Sequence, residues 1–141
     1  MPLLSKSIQF AGKALPKVIS PKGHAIADYT TAALFLAGSA MFWNRSKRAA
    51  VASLICGVAE AGIAALTDYP GGLKRVISFP LHKRIDFGLS SMAATLPAFL
   101  TFDEERETTF FQVQSALMAS VAALTDFEPQ VIAGERERET A

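Results

Sequence analysis

The sequence predicts an all-α protein. It reads as a bundle of four transmembrane helices made of two tandem, parallel-oriented helix hairpins, related by a pseudo-two-fold axis along the membrane normal. Three observations carry this expectation. Half of the 141 residues are hydrophobic and only 19% are charged. The charges avoid four stretches: residues 29–44, 87–102 and 108–125 contain none, and residues 49–67 contain only Glu60. With their flanking turns these stretches approach the roughly 20 residues that cross a bilayer as a helix. Finally, the second half of the chain repeats the first.

The repeat is seen at one offset. Lys17-Val18-Ile19-Ser20 returns as Arg75-Val76-Ile77-Ser78, and His24 and Asp28 return as His82 and Asp86. Ala64-Ala65-Leu66-Thr67-Asp68-Tyr69 returns as Ala122-Ala123-Leu124-Thr125-Asp126-Phe127. All of these matches are 58 residues apart, with no gap, and chance matches would not share an offset. The expected organisation is an arm over residues 1–16, one repeat over 17–74, a second over 75–132 and a disordered charged tail over 133–141. Each repeat crosses the membrane twice, so both insert in the same direction.

Each element has its own rationale. In the arm, Leu3, Leu4, Ile8, Ala11 and Leu15 alternate with Lys6, Lys13 and Lys17. This pattern suits a basic amphipathic helix on a membrane surface, and the arm has no continuous apolar run of the kind a signal peptide needs. Gly57 and Ala61, and Ser90 and Ala94, form small-xxx-small pairs that let helices approach closely. Pro97 is expected to kink the third span. Pro70-Gly71-Gly72 reads as a turn between the repeats. Phe42, Trp43, Tyr69, Phe102 and Phe127 flank spans as interface anchors.

Charge sets orientation and excludes several functions. Ten Lys and Arg fall on the side of the two termini and four on the other. This places both termini in the cytoplasm of a multi-pass inner-membrane protein. The formal net charge of +1 gives no field to attract nucleic acid. The single cysteine, Cys56, excludes an intramolecular disulfide and a zinc finger. No glycine-rich phosphate loop and no nucleophile–histidine order is present. The expected partners are the lipid bilayer and, because four thin helices enclose little space, other copies of the chain.

Two tandem units of two spans, each opening with His-x-x-x-Asp at the start of its first helix, resemble the bacterial membrane proteins with SPW repeats. The resemblance covers most of residues 18–127, although Leu96-Pro97-Ala98 and Gly38-Ser39-Ala40 stand where the Ser-Pro-Trp motif would fall. It implies topology and no chemistry.

The duplicated polar residues are the candidate site: His24, Asp28, Asp68, His82, Asp86 and Asp126. Each His and Asp four residues apart share a helix face. Asp28 and Asp86 have an explanation as carboxylates in the first turn of a helix, where free amides and the positive dipole end favour them. Asp68 and Asp126 fall at helix ends, where an acid meets the negative end of the dipole and needs a partner. The leading expectation is that each holds a histidine, locking helix to helix, in a non-enzymatic protein with no cofactor whose cluster is structural or regulatory. Two alternatives stay open. The histidines and aspartates could converge on a divalent metal such as Zn, Fe or Mn, as in a metal-dependent membrane enzyme. They could instead titrate and carry protons in a small oligomeric transport module. Glu60, inside the second span, has Met118 as its counterpart. It reads either as an extension of a polar path or as a protonated acid bonded to Ser90, Ser91, Gln112 or Gln114.

Overall fold

The computed structural model describes residues 15–127. The readings of the arm and of the tail fall outside this range, apart from Leu15 and Pro16. Four helices follow one another: α1 (Pro21–Phe42), α2 (Lys47–Leu66), α3 (Phe79–Phe99) and α4 (Glu105–Leu124). α1 packs along α2, and α3 along α4. Smaller α1–α4 and α2–α3 seams close the ring.

The helix starts follow from local chemistry. Ser20 accepts a hydrogen bond from the Gly23 amide with Pro21 just inside α1, and Ser78 does the same for Leu81 ahead of Pro80 in α3. A serine cap followed by proline satisfies one free amide and removes another. Ser46 caps α2 through Ala49. α4 has no side-chain cap but carries Glu105 and Glu107 in its first turn, where the helix dipole favours acids.

The helix ends shape the site. α2 stops at Leu66 and α4 at Leu124, and Thr67 and Thr125 turn into extended backbone. Each then makes an isolated parallel bridge, Thr67 with Ile77 and Thr125 with Ile19. The Asp68 amide donates to the Ile77 carbonyl at 2.8 Å, and the Asp126 amide to the Ile19 carbonyl at 3.1 Å. The turn between the halves holds Gly71 at φ 113°, a conformation that favours glycine.

The core runs through the middle of the bundle as Phe35, Ala52, Cys56, Ala93, Phe111 and Met118. Close approach depends on glycine. A Cβ at Gly57 would come within 2.9 Å of Leu36, and one at Gly38 within 2.6 Å of the Phe110 ring. Pro97 lies inside α3, two residues before its end at Phe99. Beyond it, Arg48 donates to the carbonyls of Leu100 and Thr101 at 2.9 and 3.1 Å, tying α2 to the end of α3.

Two of the four helices, α1 and α2, are long and apolar enough to cross a membrane. α3 opens with Lys83, Arg84 and Asp86, and α4 carries Glu105, Arg106, Glu107, Gln112 and Gln114, which shorten the apolar run of each. Large apolar side chains are nonetheless exposed on all four helices. Ile26 and Met41 of α1, Ile55 and Val58 of α2, Met92 and Phe99 of α3, and Val113 and Leu117 of α4 are exposed. The interior holds polar groups: His24, Asp28, Ser53, Glu60, His82, Asp86, Glu107 and Gln114 are buried.

Candidate functional site

The four duplicated residues of α1 and α3 meet at one end of the bundle. His24, Asp28, His82 and Asp86 are 0%, 4%, 1% and 3% exposed. They offer ligand atoms that all lie within 4.8 Å of one another. His24 Nε2 is 3.1 Å from His82 Nε2. It is also 3.3 Å from Asp28 Oδ1 and 3.0 Å from Asp86 Oδ2. His82 Nε2 is 3.1 Å from Asp28 Oδ2 and 3.0 Å from Asp86 Oδ1. Each carboxylate therefore presents one oxygen to each imidazole.

The other ring nitrogens face threonines. His24 Nδ1 is 2.7 Å from Thr125 Oγ1, and His82 Nδ1 is 2.7 Å from Thr67 Oγ1. Each threonine has one hydroxyl proton, and both donate it to a helix carbonyl: Thr125 to Val121 at 2.6 Å, Thr67 to Ile63 at 2.7 Å. The hydroxyl oxygen must then accept from the imidazole, so Nδ1 carries the proton in both rings. A neutral imidazole held this way turns its Nε2 lone pair toward the shared centre.

An aromatic wall closes the end of the bundle over this centre. Tyr69, Phe79 and Phe127 stack around the imidazoles, with His24 to Phe127 centroids 5.1 Å apart and Phe79 to Phe127 4.5 Å apart. The Tyr69 hydroxyl donates to Asp28 Oδ2 at 2.7 Å. Burial, and then the hydrogen bond to Asp28, push the phenol well above its ordinary range, so it stays a donor. Its counterpart Phe127 has no hydroxyl to offer Asp86. Tyr69→Phe is expected to cost about 1.5–3 kcal/mol, the usual worth of a hydrogen bond to a charged group. Phe127→Tyr should not repeat the loss. Chemical unfolding of both variants checks this.

The structure corrects three site expectations. Asp68 does not hold a histidine: it is exposed, and its Oδ1 lies 3.2 Å from Arg75 Nε. The helix ends one residue before Thr67, and the extended turn sends Thr67 inward and Asp68 outward. The partners of His82 and His24 are thus Thr67 and Thr125, the neighbours of the expected acids. Asp126 is half-buried outside the group of four. Asp28 and Asp86 are not first-turn carboxylates either, because α1 begins at Pro21 and α3 at Phe79. Glu60 is buried, and its Oε2 accepts no hydrogen bond among the described residues. The hydroxyls of Ser90 and Ser91 are spent on the Phe87 carbonyl. Glu60 instead lines a cavity of about 10 Å³ together with Asp28, Thr31, Asp86 and Met118, space on the scale of one water position.

Thr67, Thr125 and Tyr69 are the site residues that sequence reasoning passed over. All three lie in the repeated Thr-Asp-Tyr/Phe segment, so the signal was present but was assigned to the aspartate. No family model, curated protein or solved structure matches the chain.

Proposed function

We propose that the chain is a four-span integral membrane protein made of two parallel-oriented helix-hairpin repeats, joined at their cytoplasmic ends by the His24–Asp28–His82–Asp86 centre. The role of the centre is structural or regulatory, and the protein is not an enzyme. One observation carries this reading: the centre takes one His and one Asp from each repeat, and each imidazole is braced by the threonine of the other repeat. Each imidazole takes its threonine and one of its carboxylates from the other repeat, so the site works as the junction between them.

The distribution of polarity supports the membrane setting. Large apolar side chains are exposed on all four helices, while acids, imidazoles and an amide are buried beside the apolar core. A monomer in water rarely leaves so many large apolar side chains exposed while burying acids and imidazoles. The 58-residue offset recurs in the caps Ser20 and Ser78, the bridges at Ile19 and Ile77, and the threonine braces. This supports duplication with both repeats facing one way, as does the resemblance to the SPW-repeat proteins. The small volume beside Glu60 favours a junction over a transport route. The expected result is a chain that stays with membranes through alkaline washing and needs detergent for extraction. A reporter fused at Ala141 should work only on the cytoplasmic side. Recovery of folded chain from the soluble fraction without detergent would overturn the membrane reading, and reporter activity outside the cytoplasm would overturn the orientation.

A further inference from the structure

We propose that the junction is a metal centre: His24, His82, Asp28 and Asp86 bind one divalent transition-metal ion of the zinc type. The inference rests on the reading of these four side chains as a shared centre and goes beyond it by naming what the centre holds.

The first argument is electrostatic. Both Nδ1 atoms donate to threonine, so in neutral imidazoles both Nε2 lone pairs point at each other across 3.1 Å, and both also face carboxylate oxygens at 3.0–3.3 Å. Four lone-pair donors buried together repel unless a cation lies among them. Two carboxylates carry two negative charges, and one divalent ion neutralises them. Two extra protons would also balance the charge. They would, however, set two N–H groups on two cations nose to nose at 3.1 Å.

The second argument is geometric. Ligands about 2.0 Å from a tetrahedral zinc lie about 3.3 Å from one another. The two Nε2 atoms are 3.1 Å apart, each has an oxygen of both carboxylates at 3.0–3.3 Å, and one ligand atom from each of the four residues lies within 4.8 Å of the other three. The third is an orphaned group. Asp86 Oδ1 is buried and 3.0 Å from His82 Nε2, yet it accepts no hydrogen bond among the described residues. The carboxylate has approached the imidazole without an aligned N–H between them, as two ligands of one ion do.

The donor set also selects the ion. Two imidazoles with two carboxylates suit zinc and its first-row neighbours, whereas calcium takes six to eight oxygens at longer distances. The supports typical of a metal-bound histidine are in place. Each ligand imidazole donates its far N–H to a fixed oxygen, here Thr67 or Thr125, and Tyr69 donates to Asp28.

The test uses the full chain purified in detergent, with Zn²⁺ alone and then Co²⁺ alone as probes. The expected result is close to one zinc per chain after exhaustive washing, and with cobalt the intense visible bands of a four-coordinate ion. Asp86→Asn should lose most of the bound metal. Thr67→Val, which keeps all four ligands, should bind with about 10–100-fold lower affinity. Helical content and elution volume of each variant confirm that the chain is folded. A folded wild-type chain that takes up neither ion, or that takes up zinc equally well after Asp86→Asn, would overturn the metal centre. The membrane-extraction and reporter results do not depend on metal and would stand in that case, so the two readings fail separately.

Discussion

His82→Ala is expected to destabilise the protein by about 3–4 kcal/mol, the upper end of single substitutions and the scale for breaking a buried polar network. The substitution leaves Asp28 and Asp86 facing each other in the interior with a single imidazole between them, and it frees the Thr67 oxygen that His82 now fills. His24→Ala should cost about the same, because it removes the matching contacts to Asp28, Asp86 and Thr125. The double variant should cost well under the sum, since the four side chains act as one unit. Asp68→Ala is the internal comparison. Its carboxylate pairs with Arg75 at the surface, and such pairs contribute under about 1 kcal/mol. Denaturant unfolding in detergent, followed by helical circular dichroism, gives all four values. Additive losses for the two histidines, or a larger loss for Asp68→Ala than for His82→Ala, would contradict the shared centre.

Gly72→Ala is the second large effect. A Cβ at residue 72 would sit 1.9 Å from the Thr67 carbonyl oxygen. No side-chain rotation relieves a clash with backbone, so the turn must open. The loss should be about 3 kcal/mol, at the upper end of ordinary single substitutions. It should not stay local. The turn holds Thr67, Thr67 braces His82, and the Leu73 and Lys74 amides donate to the Ala65 carbonyl at 2.7 and 2.9 Å. Ala substitution at Gly62, where an added Cβ meets nothing within 4 Å, should be neutral or mildly stabilising in the helix. The pair is read by thermal unfolding. Equal stability of the two variants would show that the turn geometry is not what positions Thr67.

Much of the fold was legible because it rests on periodicity and on caps. The charge-free stretches lie within or close to the four helices, and Ser20-Pro21 and Ser78-Phe79-Pro80 are helix starts that can be read from residue type. The single offset identified His24, Asp28, His82 and Asp86 as one set. What the sequence could not give was rotation at the helix ends. Thr67 and Asp68 are adjacent, equally polar and both duplicated, and a one-residue difference in where α2 stops decides which of them turns inward. Apolar faces were the other difficulty. α1 and α2 are apolar nearly all round, so no stripe showed which side of Glu60 or Asp28 faces the interior. Tyr69 looked like an interface anchor for the same reason: an aromatic at the end of a span fits that role whether its hydroxyl meets water or Asp28.

The two parallel bridges have a consequence for chain connectivity. Val18 and Ile19 hydrogen-bond to Leu124 beside Thr125 in the same way as Val76 and Ile77 bond to Leu66 beside Thr67. These are two joints of the same make. One is spanned by the turn through Gly71 and Gly72, while the other brings together residues from opposite ends of the sequence without a covalent link between them. A circular permutant opened at Gly71–Gly72 and closed by a short linker from Phe127 to Lys17 is expected to keep the four helices and to loosen Thr67, the brace of His82 that the opened turn holds.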